Sequence, residues 1–178
     1  MSPEELLGLG LSRELVVLIL SILPISECRG AIPVAINLFG FPWYEAYVLA
    51  IIGNLIPVPI LLLFFNTFYR LVGRIGFIRR YFDWVLERTR QRGKMVEKYE
   101  RIGLMLFVAI PLPVTGAWTG AFAAIVFGIG FRYAFLSITA GVFIAGAIVT
   151  CLSLLGWTGA IIAGACLVLL AIFGLWKL

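Results

Sequence analysis

The chain has 178 residues, 62% of them hydrophobic and only 13% charged, with a mean hydropathy of +1.09. That composition excludes an ordinary soluble domain and places the chain with integral membrane proteins. There is no histidine, which excludes His-based triads, zinc hydrolysis and haem ligation, and Cys28, Cys151 and Cys166 lack metal-ligand spacing.

The net charge of +5 does not point to nucleic acid, because ten of the fourteen basic residues lie between Arg70 and Arg101. The rest of the chain is apolar, with uncharged runs over 46–69, 102–131 and 133–176. A basic segment between apolar ones is the positive-inside signature and predicts that residues 70–101 are cytoplasmic in a multi-pass plasma-membrane protein. The start of the chain has no basic region or small-residue cleavage site of the kind a cleaved signal needs.

In chain order, residues 1–12 read as a short amphipathic lead-in. Residues 13–39 are long enough to span a bilayer, yet Pro24, Gly30 and Pro33 interrupt them, and proline removes a helix donor and clashes with the preceding turn. Two half-helices joined by an irregular tip fit better than one helix. The tip carries Glu27 and Arg29, whose nearest charged neighbours are Glu14 and Glu45. An ionised side chain at a helix centre in the bilayer costs roughly 2.5–3.5 kcal/mol on insertion scales. An aromatic turn, Gly40-Phe41-Pro42-Trp43-Tyr44, follows at the expected interface, and then a helix to about Phe68, kinked at Pro57 and Pro59.

Residues 70–101 predict an amphipathic cytoplasmic helix or helix pair. The first pattern then returns: residues 102–131 are broken at Pro111, Pro113 and Gly116, Gly130-Phe-Arg-Tyr133 marks an interface, and a helix covers about 133–155. A last helix is expected over 158–177. The chain thus holds a repeated unit, 13–69 and 102–155, joined by the linker.

If each broken segment is a re-entrant hairpin, only the helix after it crosses, and the second unit is inverted relative to the first. Inverted repeats with broken helices are the architecture of secondary transporters. Five ordinary spans with proline kinks are the alternative. The predicted fold class is all-α integral membrane: two inverted repeats of hairpin plus transmembrane helix, a cytoplasmic linker and a C-terminal helix.

Irregular backbone at membrane depth is tolerated only where protein buries it or it lines a cavity. Glu27 is either a structural partner of Arg29, a proton-coupling carboxylate, or a counter-charge for a cationic substrate. Arg29, with the free N–H groups of a half-helix start, suits a phosphate or carboxylate. The second tip offers Thr115, Trp118 and Thr119 as uncharged lining, although Gly116 and Gly120 also form a Gly-x-x-x-Gly packing pair. Ser26 and Asn54 complete the candidate substrate-binding set, Asn37 is a further intramembrane polar position, and Arg132 reads as an interface anchor. No cofactor and no metal are expected.

Three segments carry a family resemblance: Pro24-Ile-Ser-Glu-Cys-Arg-Gly-Ala-Ile-Pro33, Gly53-Asn-Leu-Ile-Pro-Val-Pro59 and Ile110-Pro-Leu-Pro-Val-Thr-Gly-Ala-Trp-Thr-Gly-Ala121. Together they resemble the signature segments of the small multi-drug export protein family of bacteria and archaea. The organisation is also distantly similar to that of DedA-type membrane proteins, linked to proton-dependent movement of lipid-phosphate carriers. That second resemblance implies that Glu27 matches the acidic residue of the first hairpin. It also exposes a departure, since the DedA arginines of the second hairpin have no counterpart in Pro111–Gly120.

These readings predict a transporter, not an enzyme, that moves a small amphipathic or lipid-like substrate, with protons coupled through Glu27. DedA-like lipid-phosphate translocation is one alternative. A scaffold whose basic linker binds anionic membrane lipid is the other. Homodimer formation is left open.

Overall fold

The computed structural model describes residues 10–72, 94–111, 115–156, 158, 159 and 161. The lead-in before residue 10, most of the basic linker, Pro113 and nearly all of the expected C-terminal helix lie outside them. The described residues form helices and the turns between them: α1 (Arg13–Ile22), α2 (Glu27–Pro33), a π-helical stretch (Val34–Leu38), α3 (Trp43–Leu55), α4 (Pro57–Val72), α5 (Lys94–Ala109), α6 (Ala117–Val126) and α7 (Phe131–Leu154).

Two of these stretches are long and apolar enough to cross a membrane: Trp43–Phe64, which joins α3 to the start of α4, and Phe131–Leu154. Each buries a stripe at helical spacing, Ala46, Ala50, Asn54 and Val58 in the first and Ala134, Ile138, Val142 and Ala145 in the second. Outside the stripes, Val48, Ile52, Ile60 and Phe64, and likewise Leu136, Phe143 and Ile144, are exposed. Large apolar side chains all along the outer face suit hydrocarbon and not water.

Helix starts and stops follow local chemistry. Ser12 caps α1 by accepting a hydrogen bond from the Leu15 N–H at 3.4 Å. Backbone donors at this end, with the Ser12 hydroxyl, hold the Glu14 carboxyl below the usual carboxylate range. At the other end the chain turns through residues 23–26, where Pro24 offers no N–H to continue the helix. Gly40 and Gly128 adopt φ of 71° and 69° in the turns that precede α3 and α7.

Two of the expected breaks are not breaks. Gly30 lies inside α2, where a β-carbon would come within 2.8 Å of the Ser26 Cβ, so glycine lets this first turn close. Pro33 also lies within α2, at its last position. There the missing N–H is accommodated by widening: the backbone passes into the π-helical stretch, and the Phe39 N–H reaches the Val34 carbonyl at 3.0 Å. α5 starts at Lys94 and runs without interruption from the basic segment into the apolar one.

The described residues fall into two compact units. One holds the residues up to Gly53 together with those from Gly146 on; the other holds Asn54 to Ala145. In the first, α1 packs against α2 and against the π-helical stretch. Gly53 of α3 sits on α1 so closely that a β-carbon would lie 2.6 Å from the Ser21 Cβ and 2.9 Å from the Leu18 carbonyl oxygen. Gly146 of α7 admits the rings and methyls of Tyr47 and Ile51, 3.0 and 2.7 Å from where its β-carbon would stand.

In the second unit α6 packs against both α4 and α5. Gly141 of α7 meets α5 as Gly53 meets α1, with the Met105 carbonyl oxygen and the Val108 Cβ each 2.7 Å from where an added β-carbon would stand. Leu18, Ser21 and Gly53 in one unit thus correspond to Met105, Val108 and Gly141 in the other, about 88 positions on. The Arg101 guanidinium lies over the Tyr133 ring, 3.1 Å from its centre, which brings the apolar part of α5 and the start of α7 to one end of the unit.

Candidate functional site

The first tip belongs to the first unit. Glu27 opens α2 and is 4% exposed. Its φ of 47° is the left-handed conformation that non-glycine residues rarely hold, at a cost of order 1–3 kcal/mol that only well-determined surroundings sustain. Residues two apart on a regular helix do not face each other. The left-handed turn at Glu27 changes that, and its Oε2 lies 3.7 Å from the Arg29 guanidinium. The Arg29 side chain is 20% exposed, the more open partner of the two. Ser26 donates its hydroxyl hydrogen to the Leu20 carbonyl, tying the tip to the last turn of α1, and Cys28 between the two charges is buried.

The second tip belongs to the second unit and is built in a similar way. Thr115 donates to the Ile110 carbonyl at 2.7 Å, so a hydroxyl again closes the tip onto the end of the preceding helix. Gly116, with φ of 149°, caps α6 and accepts from the Thr119 hydroxyl at 3.4 Å. Gly120 is buried against Val108, whose Cγ2 would stand 2.5 Å from an added β-carbon, so of the two glycines this one serves helix packing. Trp118 and Thr119 are half-buried, and Pro111 lies in the turn between α5 and α6. The hydrogens of Ser26, Thr115 and Thr119 are therefore spent on backbone. What these hydroxyls offer a ligand is lone pairs.

Asn54 lies at the end of α3, 1% exposed. Its Oδ1 accepts no hydrogen bond from the described residues. Asn37, by contrast, is exposed, as is Arg132. Sequence reasoning missed Ser21, which is fully buried and donates to the Val17 carbonyl at 2.6 Å. It also missed the pairing of Arg101 with Tyr133; the signal was available, since both flank the same thirty-residue uncharged run. Among the described residues no group of three or more His, Cys, Asp or Glu could hold a metal ion.

Residues 27–148 match the family model described as Putative small multi-drug export protein. The chain belongs to this family. The match begins at Glu27 and takes in the second tip, the first long apolar helix and most of the second, leaving Pro24 and Ser26 of the first tip just outside. No curated protein and no solved structure matches the chain. Family membership together with the two membrane-capable helices points to a membrane protein.

Proposed function

We propose that this protein moves a small amphipathic substrate across the plasma membrane and couples that movement to protons through Glu27. The observation that carries the reading is Glu27 itself: a buried carboxylate, held in a left-handed conformation, at a helix interruption inside an apolar segment. Ionisable residues inside membrane segments commonly serve as proton relays in pumps and transporters. Ser26 and Arg29 in the first tip, and Thr115, Trp118 and Thr119 in the second, line the substrate's path in this reading. Lipid is the surrounding partner, and residues 70–101 face the cytoplasm.

The architecture proposed for this work is a pair of inverted repeats, each a re-entrant hairpin followed by one crossing helix. Three features support it. A continuous helix from Arg101 to Tyr133 would separate them by roughly 48 Å at 1.5 Å per residue, whereas they are in contact. The π-helical stretch likewise packs back on α1. Finally, there are two crossing-length helices among the described residues, one after each broken segment. Impermeant thiol labelling tests the topology: in a cysteine-free background, single cysteines at Ser12 and Gly40 are expected to be labelled from the same side. Labelling from opposite sides would mean that the first unit spans.

Function is tested in liposomes that carry a pH gradient, with a cationic dye and a polyprenyl phosphate offered separately. The expected result is dye movement that follows the gradient, with Glu27→Gln still inserted but indifferent to pH, because the amide keeps the volume and loses the titration. Movement of the polyprenyl phosphate alone would favour the DedA-like alternative. Movement of neither would return the function to the basic linker and anionic lipid.

A further inference from the structure

We propose that the interruption of the long apolar helix at Asn54 and Leu55 binds a sodium ion. The Asn54 Oδ1 is buried and accepts no hydrogen bond from the described residues. In a low-dielectric interior an acceptor in that state forfeits its full desolvation penalty. The next residue adds a second acceptor: the helix is interrupted at Ile56, and Pro59 has no N–H to return to the Leu55 carbonyl four positions earlier. Pro57, at the first position of α4, has none either.

Asn54 and Leu55 therefore each offer a carbonyl-type oxygen at the interruption. A cation needs only oxygens. Interrupted membrane helices meet this need in general, their unwound carbonyls and half-helix C-terminal ends serving as ligands for Na+. The donor set also decides the class of ion. Amide and peptide oxygens are neutral, and a divalent ion draws on carboxylates to offset its charge; no cluster of such ligands exists among the described residues. The hardness of oxygen donors disfavours soft transition metals. The proposal stands whether or not Glu27 couples transport.

The test uses the full chain, purified in detergent, with thermal unfolding followed at constant ionic strength in NaCl, KCl or choline chloride. A ligand that binds only the folded state raises its unfolding temperature, and above its Kd the gain grows with the logarithm of ligand concentration. The expected result is a rise with NaCl concentration that choline does not give, lost in Asn54→Leu, and a larger rise at the same Na+ concentration in Asn54→Asp, which keeps the oxygen and adds a charge. Equal stabilisation by all three salts would overturn the proposal. So would an Na+ response that Asn54→Leu retains or, should that variant fail to fold, one whose size Asn54→Asp leaves unchanged at each Na+ concentration.

Discussion

Arg29→Gln is expected to lower the stability of the folded protein by about 3–5 kcal/mol, the cost of breaking a buried ion pair by removing one partner. Glu27 is the buried member, 4% exposed, and the substitution takes away the guanidinium 3.7 Å from its carboxylate. Glu27→Gln should cost less, because the long Arg29 side chain is 20% exposed and can carry its charge toward water. The double variant should recover most of what Arg29→Gln loses. Unfolding in detergent gives all three values. A double variant no more stable than Arg29→Gln would show that the pair is not the source of the loss.

Gly53→Ala and Gly141→Ala form the second large pair. In each, a methyl would stand under 3.0 Å from a backbone carbonyl oxygen, of Leu18 in one case and Met105 in the other, so the two helices must separate. Overpacking of this kind costs typically 1–3 kcal/mol, and the gain of about 1 kcal/mol in helix propensity offsets only part of it. Gly103→Ala is the control, since nothing lies within 4 Å of its β-carbon position; it should leave stability unchanged or raise it. If the two contacts are equivalents in a repeat, the two losses should be alike. A loss in one variant with none in the other would separate them.

Much of this fold was legible because proline and charge leave marks that need no tertiary context. Pro24 and Pro111 each follow the end of a helix, α1 or α5, and the second half-helix begins a few residues later. Gly30 and Pro33 misled because the same residues serve other ends: one admits a close Ser26, and the other is absorbed by a change of helical register. At the first tip, a pair of Glu27 with Arg29 was one reading of the sequence, although residues two apart on a regular helix point away from each other. Their approach depends on a left-handed φ at Glu27, which surroundings impose and residue type does not announce. Asn54 could be read as an intramembrane polar residue, but that its amide oxygen lacks a donor depends on which neighbours pack around it. The DedA likeness rests on sequence segments alone.

The partition of the chain also sets an order of events during synthesis. The first unit takes its residues from both ends of the sequence, with Gly146 of α7 receiving Tyr47 and Ile51 of α3. It cannot be completed until almost the whole described chain has been made, whereas the second unit is one unbroken stretch, Asn54–Ala145. Contacts between residues far apart in sequence form late because the loop between them must close first. α3 up to Gly53 and the tip that bears Glu27 must therefore wait, unfinished, for the end of α7 to arrive. A ribosome stalled before residue 146 would hold a chain whose second unit has all its residues and whose first does not.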